Sequence, residues 1–263
     1  MISLGQYVPG DTMIHHLDPR VKILSVVLMS VLIFAAPARG IVLITCFLAA
    51  ILAAARLSLA RTAGALRPVA LFITLIFLMH LLLTDGRPLL SLAPLPVQVT
   101  WEGLRQGMYV SWQFASLIIA AAILTMTTLP SELVGGIERL LRPLRHVGIP
   151  SQDIALMISM ALRFVPTLLE EYERLRMAQM ARGADFTAGP PAQRMRAVAL
   201  FAVPLLLSAF RRAEELAMAM EARGYHRGPR TALRELQLGR ADMAALGIMI
   251  LFALIYVALR MIP

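Results

Sequence analysis

Lysine and cysteine are almost missing from this sequence of 263 residues. The one cysteine, Cys46, lies in an apolar run, so the chain has neither a disulfide framework nor a thiolate metal cluster. The one lysine, Lys22, lies at the edge of another apolar run and not beside the glycine-rich turn that a phosphate-binding P-loop requires. We therefore expect no ATP binding by that route and no cofactor in this chain.

Catalytic motifs are missing as well: there is no His-Glu-x-x-His, no Cys-x-x-Cys and no recognisable nucleophile turn. His15, His16 and Asp18 could form a metal site, but adjacent imidazoles point to different faces of a helix or strand. Asp18 is also a suitable N-cap, with Pro19 at the first helical position. His80, near the end of an apolar run, has no serine at a spacing that suits an intramembrane protease. These patterns predict a protein that is not an enzyme and holds no metal.

Long uncharged stretches, by contrast, are plentiful: 59% of the residues are hydrophobic and 16% are charged. This composition is typical of an integral membrane protein. We predict an all-α membrane protein with about five transmembrane helices, in the apolar runs 21–36, 41–55, 69–83, 108–128 and 245–259. The first three runs are short against the roughly 20 residues that cross the hydrocarbon layer. They need flanking residues or local thinning of the bilayer to span it.

The net charge of +9 is carried almost entirely by arginine, and its placement is more informative than its size. Once five spans are drawn, 21 of the 25 basic residues fall on one side of the membrane, and four lie on the other: Arg39, Arg87, Arg105 and Arg260. This asymmetry is the positive-inside pattern and not that of a nucleic-acid-binding surface. It predicts a cytoplasmic amino terminus, an outside carboxyl terminus, a lipid bilayer as the surroundings and no nucleic acid partner.

Three domains follow from this pattern. We predict an N-terminal transmembrane region of about four helices over 1–130, a cytoplasmic domain over 131–240 and a C-terminal transmembrane helix over 241–263. The middle domain contains sixteen arginines and eleven carboxylates. Its two apolar patches, 154–162 and 197–210, are interpreted as helices that lie along the membrane or pack beneath it, since an arginine follows the first and a proline interrupts the second.

The cytoplasmic domain contains one short phrase twice. Ala-Gln-Met-Ala-Arg-Gly at 178–183 and Ala-Met-Glu-Ala-Arg-Gly at 219–224 each end a long amphipathic helical pattern. An arginine in the last turn followed by glycine suits a plain helix C-cap. That interpretation stays open beside a second one, in which the repeated arginines are a matched pair of docking groups.

Charged side chains surround the apolar stripe of both helical patterns. Glu170–Arg174 in the first and Arg211–Glu215 in the second are one turn apart, and we expect these pairs to support the helices locally. A Gly-Pro-Pro break within 185–193 predicts a loop between the two helices.

The residues around the two phrases resemble those of a known family. Arg-Phe-Val-Pro at 163–166 precedes the first phrase, and Arg-Ala-Glu-Glu-Leu-Ala at 212–217 precedes the second. Gly-x-Tyr-x-Pro-Gly at 5–10 and Leu-Asp-Pro-Arg-x-Lys at 17–22 look like an amino-terminal signature of the same family. In these motifs the chain, from near residue 5 to about residue 228, resembles the transmembrane T component of energy-coupling factor transporters.

The resemblance implies a coupling subunit that is not itself catalytic. Two cytoplasmic ATP-binding subunits would bind ATP and receive the repeated arginines in their grooves. A separate substrate-binding membrane subunit would carry a micronutrient, a vitamin or a metal ion, across the inner membrane. The implied ATPase-coupling residues are the last three of each phrase: Ala181, Arg182, Gly183, Ala222, Arg223 and Gly224.

A self-contained channel or secondary transporter with an arginine-rich cytoplasmic regulatory domain is the alternative. Such a protein should have polar groups along several spans, or broken helices paired across two halves. The predicted spans offer few polar groups: His80, Ser111, Gln113 and Ser116. This scarcity favours the coupling subunit.

Overall fold

The computed structural model describes residues 7–37, 40–91, 98–143, 151–183, 191–225 and 239–261, with side chains described except at 88–91, 98, 151 and 191–201. These ranges contain eight helices: α1 (Pro19–Phe34), α2 (Gly40–Ala54), α3 (Leu59–Leu83), α4 (Trp101–Thr127), α5 (Pro130–Leu141), α6 (Ser151–Ala181), α7 (Pro191–Ala222) and α8 (Arg240–Met261). The predicted all-α membrane fold is confirmed. One short antiparallel hairpin between α3 and α4 is an addition to that prediction: β1 (Pro88–Ser91) and β2 (Gln98–Thr100).

All five predicted spans lie in helices, but the helices differ in length. α3, α4 and α8 are long enough to cross a membrane, with mean hydropathies of 2.2, 1.7 and 2.3. α1 and α2 have 16 and 15 residues, so they rise only about 24 and 22 Å against a hydrocarbon thickness of about 30 Å. Among the described helices, α6 is the fourth that meets the length and composition for a span, with the lowest mean hydropathy of 1.3. That its apolar patch lies along or beneath the membrane stays a prediction.

The hydrophobic core forms among α1, α2, α4 and α8. Ile33 of α1 and Ile44 of α2 are completely buried, and Ile123 of α4 is nearly so. The rings of Phe47 and Phe252 stack with their centroids 4.0 Å apart, which joins α2 to α8. The two short helices are therefore packed against longer ones, so their position does not depend on lipid contact alone.

Two glycines let α3 and α4 pack closely. A Cβ added at Gly103 would lie 2.7 Å from the carbonyl oxygen of His80, and one at Gly107 would lie 3.1 Å from that of Phe77. Because the glycines are four positions apart, they lie on the same face of α4 and form a Gly-x-x-x-Gly contact of the kind that brings helices together in lipid. His80, which the sequence left as an isolated ionisable group in a span, thus lies where α3 packs on α4.

Thr100 connects the hairpin to the helices on either side of it. Its hydroxyl accepts a hydrogen bond from the backbone N–H of Gly103 at 3.0 Å, which caps α4, and donates to the carbonyl of Thr84 at 2.7 Å. The two helices that pack through glycine are therefore also fixed at this end by one buried side chain.

The described helices divide into two compact units, one formed by α6 and α7 and one formed by the other helices and the hairpin. α5 belongs to the latter, where a Cβ added at Gly136 would lie 3.0 Å from Cβ of Pro19 in α1. The predicted domain boundaries at 130 and 240 stay predictions. Most of the predicted loop at 185–193 lies outside the described residues, and α7 begins at Pro191.

Candidate docking site at the ends of two amphipathic helices

The first repeated phrase ends α6 in a capped turn. The backbone N–H of Arg182 donates to the carbonyls of Ala178 and Gln179 at 3.3 and 3.1 Å, and that of Gly183 donates to the carbonyl of Met180 at 3.0 Å. Gly183 has a φ of +88°, in the left-handed region that favours glycine. Arg182 is therefore the C-cap residue of α6, and Gly183 is the left-handed residue that follows it.

The second phrase ends α7 in the same way. The N–H of Gly224 donates to the carbonyl of Glu221 at 2.9 Å, and the N–H of Tyr225 donates to that of Met220 at 3.0 Å. These two bonds, together with a φ of +73° at Gly224, are a complete Schellman motif. Arg223 occupies the C-cap position that Arg182 occupies in α6. The C-cap interpretation is thus correct for both glycines and explains why glycine stands at these positions.

The caps do not account for the arginine side chains. All six predicted coupling residues are exposed to solvent, in both copies of the phrase. Within the described part of the chain, neither Arg182 nor Arg223 forms an ion pair. Two guanidinium groups are thus held at the tips of rigid helices with no acidic partner in the described chain, and their docking role stays a prediction.

The ion pairs on α6 and α7 differ from those predicted. The expected pair Glu170–Arg174 is present at 3.9 Å, and Arg176 pairs with Glu173 at 3.6 Å. The expected pair Arg211–Glu215 is not formed in the described structure, where both side chains are exposed and water competes for them.

The neighbouring arginine makes the contact between the two helices. Nη2 of Arg212 lies 3.0 Å from Oε2 of Glu171, which joins α7 to α6. The Arg212 and Glu171 side chains are 39% and 24% exposed, so this pair is less accessible to water than the pairs along α6. Local spacing could not have predicted it, because the two residues are 41 positions apart.

The second part of the amino-terminal signature, residues 17–22, takes part in a buried polar cluster. The Asp18 side chain accepts from the backbone N–H of Arg20 at 2.9 Å and Pro19 follows the cap, as predicted. The backbone N–H of Asp18 in turn donates to Oδ1 of Asp242 at 2.7 Å, and Oδ2 of Asp242 accepts from the N–H of Gly239 at 2.8 Å. One carboxylate thereby holds the beginnings of α1 and α8 together.

Lys22 completes this cluster. Its buried ammonium donates to the carbonyls of His15 and Thr127 at 2.8 and 2.9 Å, so it links α1 to the end of α4. The local sequence around Lys22 and Asp242 does not show that either residue has a structural role. The available signal was that each is a charged residue at the edge of an apolar run, where a buried partner is needed.

His15 and His16 form hydrogen bonds with different partners. Nδ1 of His15 lies 2.6 Å from Oγ1 of Thr12, and Nε2 of His16 lies 2.6 Å from Oδ1 of Asp11. The His16 imidazole holds the pKa of Asp11 below its ordinary value. Among the residues described, no three metal-ligating side chains come together.

Two polar side chains of α4 bind backbone carbonyls at the end of α1, whereas the buried Ser111 hydroxyl has no hydrogen-bond partner in the described structure. Nε2 of Gln113 donates to the carbonyls of Ile33 and Phe34 at 3.1 and 3.5 Å, and the Tyr109 hydroxyl donates to that of Ala36. The last turn of a helix leaves such carbonyls without an internal partner. Gln113 is therefore buried and hydrogen-bonded within the fold.

Fold and site together define a polytopic α-helical membrane protein with two matched, arginine-tipped helices. Residues 10–233 match the model of the CbiQ family, described as cobalt transport protein. This match spans α1 to α7 and both repeated phrases, and it ends before α8.

Curated relatives cover nearly the whole chain, and each is named "Energy-coupling factor transporter transmembrane protein EcfT". The relative from Thermosediminibacter oceani is 43% identical over 246 residues, 93% of this chain and 92% of the relative. Those from Heliobacterium modesticaldum and Bacillus subtilis are 44% and 39% identical over 245 and 256 residues, which cover 92% and 96% of this chain and 91% and 96% of the relatives. The chain therefore belongs to the EcfT/CbiQ-like family of transmembrane T components of energy-coupling factor transporters.

Proposed function

We propose that this chain couples two cytoplasmic ATP-binding subunits to a separate substrate-binding membrane subunit, with Arg182 and Arg223 as the docking groups. The observation that carries the proposal is the matched pair of exposed arginines, each at the C-cap of a long helix. Two equivalent tips suit two copies of one partner, or two related partners. The chain itself would not hydrolyse ATP.

The chemistry of arginine at these positions supports an acidic partner. A guanidinium keeps its charge at all physiological pH values and offers a planar fork of donors that suits carboxylates. Because the Schellman-type caps fix the backbone around each arginine, little backbone order has to be gained on binding. The partner surfaces we infer are therefore grooves that contain carboxylates and accept a helix end.

Two buried polar side chains, Gln113 and Lys22, give little support to the alternative, a self-contained channel or carrier. Gln113 and Lys22 donate to backbone carbonyls of the protein. A cavity of about 420 Å³ lies among α1, α2, α4 and α8, and its lining is almost wholly apolar. Lys22, the charged residue in that lining, already donates to two carbonyls. A carrier of polar micronutrients would need polar groups turned toward the solute instead.

The names of the relatives bear on the transported substrate, and the charge distribution bears on the location and orientation of the chain in the membrane. The curated relatives are energy-coupling factor transporter proteins, and the family description names cobalt. We infer a micronutrient, a vitamin or a metal ion, as the substrate class. The positive-inside asymmetry supports an inner-membrane protein whose amino terminus and arginine-tipped helices face the cytoplasm.

The test is charge reversal at both tips, Arg182→Glu with Arg223→Glu. The variant is purified in mild detergent with its co-expressed ATP-binding and substrate-binding subunits, and substrate uptake is measured in cells. We expect the ATP-binding subunits to be lost and uptake to be abolished, because each tip then repels an acidic groove. The variant chain should still be found in the membrane, since neither arginine pairs within the described chain.

Arg211→Glu is the matched control. Arg211 is an exposed arginine of α7 outside the repeated phrase, so its reversal changes the charge of the same helix without changing the tip. It should retain the ATP-binding subunits. Full retention and uptake in the double tip variant would contradict the proposal and leave the arginines as cap residues only.

A further inference from the structure

The ion pair between α6 and α7 lies the same number of residues before each of the two C-cap arginines. Glu171 precedes Arg182 by eleven positions, and Arg212 precedes Arg223 by the same eleven. Three helical turns take about 10.8 residues, so residues eleven apart lie on nearly the same face and about 16 Å apart along the axis. The ion pair is thus equidistant from the two arginines and on the same face of each helix as they are.

The length of the connecting chain limits how the helices cross. If α6 and α7 ran in the same direction, the end of α6 at Arg182 and the start of α7 at Pro191 would be about 48 Å apart, measured along the helix axes through the ion pair. The eight residues between them make nine Cα–Cα steps, which reach about 30 Å at most. A right-angle crossing would still leave about 36 Å between them, so the helices run in roughly opposite directions. The arms that carry the two arginines therefore diverge from the ion pair, and the arginine Cα atoms lie roughly 30 Å apart.

The two arms are stiff. Pro166 and Pro204 lie before the ion pair in their helices, and neither 171–182 nor 212–223 contains a proline or an internal glycine. A change of angle between the helices at the ion pair is therefore passed undamped to both tips.

From these relations we infer that Glu171 and Arg212 are positioning residues: their ion pair sets the distance between Arg182 and Arg223 at the value that two partner subunits require. The inference rests on the proposed function, because the spacing matters only if two partner subunits dock at the arginines. The spacing itself can be measured on the chain alone. The pair suits this task because it is charge-assisted, 3.0 Å long and partly shielded from water. Within the described residues it is the ion pair that joins the two helices.

The distance between the two helix ends is measured by pulsed electron paramagnetic resonance, with spin labels at Met180→Cys and Glu221→Cys in a Cys46→Ser background. The two labelled positions are exposed, occupy equivalent places in the repeated phrase and lie nine residues beyond the ion pair on each arm. The full chain is studied in lipid nanodiscs without partner subunits. Retention of the ATP-binding subunits is measured separately on unlabelled variants.

Four variants at the ion pair form a test. Glu171→Arg and Arg212→Glu should each shift or broaden the distance distribution and lower retention of the ATP-binding subunits by about threefold to tenfold, and the swap of both charges should restore both readouts. Glu171→Gln keeps the size of the side chain and should give a milder change, which covers the case that a reversal fails to fold. Glu170→Gln is the matched control, since its pair with Arg174 lies within α6 and is largely exposed.

The outcomes separate this inference from the proposed function. The inference is overturned if the distance between the labels is unchanged in the Glu171 variants, or if the charge swap restores neither readout beyond the single reversals. It is also overturned if the distance changes while the ATP-binding subunits are fully retained. Retention of the ATP-binding subunits by the double tip variant would instead defeat the proposed docking, whatever the distances show.

Discussion

The backbone N–H of Asp18 donates to Oδ1 of Asp242 at 2.7 Å, across 224 positions of sequence. Asp242 also accepts from the N–H of Gly239, so a single buried carboxylate fixes the start of α8 against the start of α1. With Lys22 bound to the carbonyl of Thr127, it closes a cluster that joins three helices at one end of the membrane unit. The described membrane helices are therefore held by specific polar bonds as well as by packing.

Asp242→Ala should destabilise the chain. It leaves the buried N–H of Asp18 without an acceptor, which costs about 1–3 kcal/mol. We expect a lower midpoint of thermal unfolding in detergent, and a smaller loss for Asp242→Asn, whose amide oxygen can still accept one bond. Asp85→Ala, at an exposed aspartate, is the control. A midpoint for Asp242→Ala equal to that of the control would show that the bond contributes nothing.

Gly103→Ala should disturb the packing of α3 on α4. The added Cβ would lie 2.7 Å from the His80 carbonyl oxygen, so the helices must move apart at a cost of about 1–3 kcal/mol. Gly64→Ala in α3 is the matched control, since a Cβ there meets nothing within 4 Å and alanine favours a helix. Thermal unfolding of the two variants in detergent should therefore shift in opposite directions. A stabilised Gly103→Ala variant would contradict the close contact.

Gly183→Ala and Gly224→Ala should weaken the ends of α6 and α7. Each alanine would have to adopt a positive φ at a cost of about 1–2 kcal/mol, and asparagine should be tolerated better than alanine at both positions. Hydrogen exchange of the last turn of each helix measures the effect, with the first-turn amides of α4 as the internal reference. If exchange is unchanged, the left-handed caps are not needed to hold the arginines.

Local chemistry made part of the fold and site predictable from sequence. The N-cap at Asp18 and the left-handed glycines at 183 and 224 depend on residues within one turn, so the sequence pattern was sufficient for them. The same holds for the apolar runs, which all became helices. Their lengths were less informative, because α1 and α2 are held by packing against longer neighbours and can stay short.

Contacts between distant residues could not be predicted. Lys22–Thr127 and Glu171–Arg212 each join separate helices, and spacing carries no information about such pairs. The apolar residues of α5 would suggest that Ile137 is buried, yet Ile137 is 46% exposed and the buried position is Gly136. That helix packs so closely against α1 that a Cβ at Gly136 would lie 3.0 Å from Cβ of Pro19.

The central claim is that Arg182 and Arg223 dock into acidic grooves of two ATP-binding subunits, and affinity tests it most directly. The dissociation constant of the purified ATP-binding subunits is measured against the chain in nanodiscs, for Arg→Ala and Arg→Lys variants at each tip. We predict that alanine at either tip costs about 2–5 kcal/mol of association, because a buried carboxylate loses its partner, and that lysine rescues only part of it since it lacks the planar fork. An unchanged dissociation constant for both alanine variants, with at most a loss of about 0.3–1 kcal/mol in helix stability, would contradict the account.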